Sequence, residues 1–336
     1  MRRSAVAALA ALAAGLLVSG CGGSSTDVPP PQGTAVARDA YARPLGAAVT
    51  LDPLRSDDAY RRALFSTFNS VTPENELKWE VVQPRQGTFD FDAAEAIVDT
   101  ARGAGMRVRG HPLVWDQQLP GWVEGAPEDE LEAILRTHVS TVAARFRGRM
   151  AQWDVVNEPL EDGGGLTANV FERALGEGYI DVAFREARRV DPQAKLFLNE
   201  IAAERGVKAR ALVSLIRRLR ERGVPVDGVG LQNHTVTRDF PTQEDLARLM
   251  GRFERLGVDV EITEMDVTGP GEDRRADGYA AAAAACAAAP NCTGLTVWGV
   301  TDARSWLGAA KLPTLFDARG EPKPALAALR RALRRR

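Results

Sequence analysis

Gln152-Trp153-Asp154-Val155-Val156-Asn157-Glu158 and Val258-Asp259-Val260-Glu261-Ile262-Thr263-Glu264-Met265-Asp266 each read as a short buried strand that runs into a glutamate. Strand-like runs of the same kind recur on either side of them, at 45–49, 70–72, 107–110, 152–156, 195–198, 228–231, 259–263 and 295–298. Between the runs, residues stand at helical spacing: Ala93, Ile97 and Ala101; Leu131, Ile134, Leu135 and His138; Val182, Ala183, Ala187 and Val190; Leu212, Leu215, Ile216 and Leu219; Leu246, Leu249, Phe253 and Leu256. Gly103, Gly105, Gly223 and Gly257 occupy helix-stop positions just ahead of the next strand. Strands alternating with helices imply an α/β fold with a parallel sheet. Eight such units over about 290 residues suit a single closed TIM (β/α)8 barrel, whose usual size is ~250 residues. The rival is an open doubly wound sheet, but the first strand–helix turn lacks a Gly-x-Gly-x-x-Gly phosphate loop.

Composition limits the function classes. The chain has 336 residues, of which 45% are hydrophobic and 26% charged, as in a soluble globular protein. A net charge of −2 recommends no nucleic-acid partner. Arg330, Arg331, Arg334, Arg335 and Arg336 read as the solvated end of a last helix. At the other terminus, Arg2 and Arg3 precede an apolar run from Ala5 to Val18 that ends in small residues, which is the pattern of a secretory signal. The run is too short for a comfortable membrane span. Its end, Leu17-Val18-Ser19-Gly20-Cys21, resembles a bacterial lipobox, in which the cysteine is lipidated and becomes the mature N-terminus. The alternative is an ordinary signal peptide with an incidental cysteine. The expected division is therefore a lipoprotein-type signal at 1–20, a flexible tether at 21–41 and one folded domain at 42–336. Gly22-Gly23-Ser24-Ser25 and Pro29-Pro30-Pro31 give the tether its character. The expected address is a membrane-anchored, exported protein on a periplasmic or cell-surface face, otherwise a secreted one. Cys286 and Cys292 suit a disulfide in such a compartment, the alternative being two buried free thiols. No histidine stands near them to complete a zinc site.

Polar residues gather after the strands, at what would be the C-terminal rim of a barrel, where residues read as catalytic or binding. Glu74-Asn75-Glu76-Leu77-Lys78-Trp79 follow the second strand, and His111-Pro112-Leu113-Val114-Trp115-Asp116-Gln117-Gln118 the third. Asn157-Glu158-Pro159 follow the fourth, Gln232-Asn233-His234 the sixth, and Glu264-Met265-Asp266 close the seventh. The eighth runs into Trp298-Gly299-Val300-Thr301-Asp302, with Trp306 beyond. Indoles beside amides and carboxylates suit sugars, whose apolar faces stack on rings while their hydroxyls meet polar groups. Two carboxyls across one glycosidic bond are what its hydrolysis with retention requires. Taken singly, some of these residues have plainer readings: Trp298 and Trp306 as core, His111 as a hydrogen-bonded interior histidine, Lys78 as a snorkelling surface lysine. Strand alternation places Glu261 on the face opposite Glu264.

These motifs, in this order, resemble the endo-1,4-β-xylanases of glycoside hydrolase family 10. The stretches that carry the resemblance are Thr72 to Trp79, Arg109-Gly110-His111 with Leu113-Val114-Trp115, Trp153 to Glu158, Gly228 to Gln232 with His234, Ile262 to Asp266, and Thr296 to Asp302, within about 42–335. The pair Cys286 and Cys292 is similar to a disulfide found in many members. The resemblance implies Glu158 as proton donor and acid/base, and Glu264 as nucleophile. It implies Asn157, His234 and Asp266 as supports of the pair, with Asn157 on the sugar 2-hydroxyl. Glu74, Asn75, Lys78, His111, Trp115 and Gln118 would line the glycone side, Gln232 would lie close to the nucleophile, and Trp298 and Trp306 would wall the sugar being cleaved. The implied substrate is xylan or a xylo-oligosaccharide, acted on by a monomer with no cofactor; a calcium ion on a loop stays open.

Some residues depart from the family pattern. Pro112 and Asp116 stand where threonine and histidine are usual. The fifth strand ends Phe197-Leu198-Asn199-Glu200-Ile201-Ala202 instead of Tyr-Asn-Asp-Tyr-Asn, so Ile201 replaces the aromatic that would support a leaving-group sugar. Asn233 replaces a common serine. Two other readings compete: a related retaining β-glycosidase acting on β-glucan or on short or unusual oligosaccharides, and a non-catalytic sugar-binding lipoprotein. Retention of both glutamates argues against the second, and Glu74-Asn75-x-x-Lys78 against a glucan.

Overall fold

The computed structural model describes residues 28–32, 34, 41 and 43–333. The signal sequence at 1–20, Cys21, most of the tether and Arg334 to Arg336 lie outside the described residues. Among the described residues nine strands form: β1 (Leu45–Val49), β2 (Ser70–Pro73), β3 (Arg107–Gly110), β4 (Gln152–Asn157), β5 (Lys195–Glu200), β6 (Gly228–Leu231), β7 (His234–Val236), β8 (Asp259–Thr268) and β9 (Cys292–Val297). They pair in parallel around a ring, β6-β5-β4-β3-β2-β1-β9-β8, and β6 pairs with β8 to close it. This is the single TIM barrel expected. The short β7 continues the sixth strand and pairs with the far end of β8.

Helices cover the outside because their apolar stripes leave no other stable arrangement. Helix Gln243–Glu254 is representative: Thr242 and Asp245 form a capping box at its start, and Leu246, Leu249, Met250 and Phe253 are its buried face. Helix Glu272–Ala288 is stapled to the first residue of β9 by the Cys286–Cys292 disulfide, with Cα atoms 5.2 Å apart. Gly105, Gly223 and Gly257 carry positive φ at helix ends, whereas Gly103 is the last residue of its helix. Within the expected tether, the Val28 amide donates to Thr100 Oγ1 on helix Asp92–Gly103 at 2.9 Å.

One layer of the barrel interior corrects an expectation. Glu261 does not face away from the site. Its carboxyl meets Arg109 Nη1 of β3 at 3.3 Å and Gln152 Nε2 of β4 at 2.7 Å. Those strands do not adjoin β8, so the contacts cross the lumen. The cause is an irregularity in β8. From Leu231↔Ile262 to His234↔Asp266, three steps on β6 and β7 span four on β8. The register against β9 shifts over the same stretch. Such a bulge re-aims a side chain, as bulges beside active sites do. It turns Glu264 inward although it lies an odd number of residues from Glu261.

Candidate active site

Glu158 lies just past β4 with φ 53, in the left-handed region that a non-glycine residue adopts only at a cost. Its amide donates to the Asn199 carbonyl of β5 at 2.9 Å, and Thr167 Oγ1 donates to its carbonyl at 3.2 Å, holding the turn from both ends. The side chain is half-buried and accepts four hydrogen bonds. Oε1 takes Gln232 Nε2 at 2.8 Å and Asn157 Nδ2 at 3.2 Å. Oε2 takes Trp115 Nε1 at 3.1 Å and Gln117 Nε2 at 2.9 Å.

Glu264 is buried three strands along the wall, on β8. Its Oε1 accepts from Asn199 Nδ2 at 2.6 Å, and its Oε2 lies 3.3 Å from His234 Nε2. Asn199 Nδ2 also donates to Asn157 Oδ1 at 2.8 Å, which in turn accepts from Gln232 Nε2 at 3.3 Å. The two carboxyls are thus tied into one network through amides from β4, β5 and the end of β6. Thr263 Oγ1 donates to Asn199 Oδ1 at 2.6 Å and fixes which way that amide points. Gly230 leaves the room: a Cβ there would lie 2.0 Å from Asn199 Oδ1.

His234 Nδ1 is 2.7 Å from Asp266 Oδ2, which also accepts from Trp306 Nε1 at 3.0 Å. Burial alone would lower the imidazole, but the carboxylates of Asp266 and Glu264 outweigh it and raise it to about 10. At neutral pH the ring is therefore a cation that donates on both sides. Beneath it, His111 Nδ1 bonds Asp154 Oδ2 at 2.9 Å and lies 3.8 Å from Glu264 Oε1. Asp154 is gripped by the Arg109 guanidinium, whose charge with that of His111 holds the carboxyl below its usual range against the cost of burial.

The β2 and β3 ends form the opposite part of the mouth. Lys78 Nζ donates to Asn75 Oδ1 at 2.8 Å and sits 5.1 Å from the centre of the Trp115 ring. Lys78 is buried, so it does not snorkel. Burial pushes the Glu74 carboxyl up to about 7, with Glu76 and Glu264 adding to the rise and Lys78 opposing it. Trp298 is buried with its ring edge-on to His111, 5.1 Å between centroids, while Trp306 is 54% exposed. Asn157, Trp115, Gln232, His234, Asp266 and Trp306 each contact the catalytic pair or one of its hydrogen-bond partners. Gln117, beside the expected Gln118, also donates to Glu158, while the Gln118 Oε1 is buried with no hydrogen-bond partner among the described residues.

Among the departures, Asp116 opens the 3-10 turn Asp116–Gln118, and burial, with the charge of Glu158, raises its carboxyl. Glu200, fully buried, turns away to Lys208 at 3.0 Å and accepts from the Leu160 and Ile201 amides. Sequence reasoning missed Asn199, Gln117 and Thr263 as site residues. Asn199 had a visible signal, a polar residue ending an apolar strand. Gln117 and Thr263 had none, because the aim of each side chain is set by a 3-10 turn in one case and a bulge in the other. Among the described residues no group of three or more His, Cys, Asp or Glu side chains is arranged to hold a metal ion.

The profile described as Glycosyl hydrolase family 10 matches residues 34–332. An endo-1,4-beta-xylanase of Agaricus bisporus is 36% identical over 286 residues, covering 82% of this chain and 84% of the relative. A beta-1,4-xylanase of Dictyoglomus thermophilum is 39% identical over 294 residues, covering 79% and 82%. The crystal structure of native xylanase 10B from Thermotoga maritima superposes with a TM-score of 0.81 at 36% identity, covering 87% of this chain and 94% of that one. With the barrel, the paired glutamates and these matches in agreement, the chain belongs to glycosyl hydrolase family 10.

Proposed function

We propose that this protein is a retaining endo-1,4-β-xylanase that cleaves internal β-1,4-xylosidic bonds of xylan or xylo-oligosaccharides through a covalent glycosyl-enzyme. The observation that carries the reading is the single amide network, Asn157–Asn199–Gln232, that joins the carboxyls of Glu158 and Glu264. Glu264, ionised and hydrogen-bonded by Asn199 and by cationic His234, attacks the anomeric carbon. Glu158 passes its proton to the departing glycosidic oxygen, and the C–O bond breaks. A water then attacks the anomeric carbon of the ester, Glu158 takes its proton, and Glu264 leaves as carboxylate. Asn157 would hold the sugar 2-hydroxyl, a bond that strengthens in the oxocarbenium-like transition state. Glu74, Asn75, Lys78, His111 and Trp115 would bind the glycone side, with Trp298 and Trp306 as walls. We further propose that Cys21 is acylated and tethers a monomeric domain to a membrane, on a periplasmic or cell-surface face.

The test is the outcome of two substitutions and one anomer. Glu264→Ala should abolish turnover of every substrate. Glu158→Ala should cripple cleavage of xylo-oligosaccharides yet largely spare glycosylation by an activated aryl xylobioside, whose leaving group needs no proton, and azide should rescue the second step. NMR of the first product should show the β-anomer. An α-anomer would mean inversion and sink the mechanism.

A further inference from the structure

Glu204 belongs to none of the motifs above. It sits in the loop between β5 and helix Gly206–Glu221, buried, and its Oε1 accepts the backbone N–H of Asn233 at 2.8 Å. Asn233 is itself buried and holds φ 59, in the left-handed region that asparagine tolerates better than most residues but still not freely. Its side-chain Oδ1 has no hydrogen-bond partner among the described residues. The residues on either side each hold one of the catalytic pair. Gln232 donates to Glu158 Oε1, and His234 lies against Glu264 Oε2. The Gln232 backbone is tied as well, its N–H to the Glu200 carbonyl at 3.0 Å and its carbonyl to the Glu264 N–H at 3.2 Å. This turn faces the bulge of β8, where regular ladder pairing is interrupted between Leu231↔Ile262 and His234↔Asp266. Those backbone bonds hold Gln232 but not the Asn233 N–H, and a buried N–H left unpaired would cost free energy.

We infer that Glu204 is a positioning residue: by accepting the Asn233 N–H it holds the Gln232–His234 turn and thereby aims the donors of both glutamates. The inference rests on the hydrolase reading of the site. A carboxylate from one loop thus sets the hydrogen bonding of an acid on β4 and a nucleophile on β8, touching neither. A donor moved off its line loses transition-state stabilisation more than ground-state binding, so the loss appears in kcat.

The experiment compares Glu204→Ala and Glu204→Gln with an aryl xylobioside as probe. Glu204→Ala should lower kcat about ten-fold, equivalent to ~1.4 kcal/mol, with KM within about two-fold. Glu204→Gln, whose amide oxygen still accepts from Asn233, should keep kcat within about three-fold of wild type. Wild-type kcat in the alanine variant overturns the inference, and so does an equal fall in both variants, since then the hydrogen bond is not what matters. If the alanine variant does not fold, Glu204→Asp decides: it keeps the charge but withdraws the acceptor by one methylene, so kcat should fall, and an unchanged kcat overturns the inference. A wild type inactive on the probe would instead sink the hydrolase reading. An active wild type with an indifferent Glu204 sinks only this one.

Discussion

Glu74 shows how one proton alters what the mouth can offer a sugar hydroxyl. Its carboxyl moves from the ordinary 4.5 to about 7, first because burial disfavours the charge and then because Glu76 and Glu264 repel it. Below that value it can donate and accept; above it, it only accepts. The linkage sign follows. Between 4.5 and 7 the folded state holds a proton that the unfolded chain has released, so this group makes stability fall as pH rises through that window. Glu74→Gln should abolish that component, so the Tm of wild type should fall relative to the variant from pH 4.5 to 7. KM for the aryl xylobioside should change near pH 7 in wild type and stay flat in the variant; parallel profiles would refute the assignment. His234 has the same sign in a higher window. It is raised to about 10, so its contribution is full below 6.5 and is lost as pH climbs through 10.

At the scale of elements, the site depends on how strands end more than on the strands themselves. The ends of β4, β5 and β6 and the bulge of β8 supply the amides and carboxyls, and each departs from ideal geometry: Glu158, Ala202 and Asn233 at positive φ, and a shifted register between Ile262 and Met265. Regular strands could not converge four adjacent side chains on one point. The disulfide acts on a different element junction, from helix Glu272–Ala288 to β9, at a sequence separation of 6. Closing so short a loop restricts the unfolded chain only modestly, so removal should cost about 2–3 kcal/mol. Urea unfolding of the Cys286→Ser/Cys292→Ser double variant should show that loss with kcat unchanged, because the bond lies at the strand starts, away from the glutamates. A stability equal to wild type would remove its structural role.

On the scale of the whole molecule, the chain enters the barrel at the face opposite its mouth. Tyr41, ahead of β1, donates to the Thr67 carbonyl at 3.0 Å and accepts from Arg330 Nε of the last helix at 3.1 Å. Arg43 reaches the Ala289 carbonyl just before β9. These are the ends at which strands begin, whereas Glu158 and Glu264 stand where strands finish. The expected outcome of Cys21→Ser is release into the soluble fraction with full activity. Membrane retention of that variant would remove the proposed anchor.

The sequence by itself determined the barrel and most of its mouth. Period-two and period-3.6 patterns are local, and a chain that alternates them eight times has few compact solutions. Every barrel strand was legible to within a few residues, and Glu158, Glu264, His234 and Asp266 were visible as polar residues at strand ends, their roles implied by the resemblance to family 10. Tertiary structure alone decided the rest. The inward turn of Glu261 depends on one extra residue in β8, whose position is set by pairing with β6 and β9 rather than by its own composition. The contact of Gln117 with Glu158 depends on the 3-10 turn Asp116–Gln118. Glu204 reads as a loop carboxylate until the fold brings Asn233 to it, 29 residues along the chain. Side chains alternate by local geometry, but which donor meets which acceptor across a lumen is set by register, and register is a property of the closed sheet.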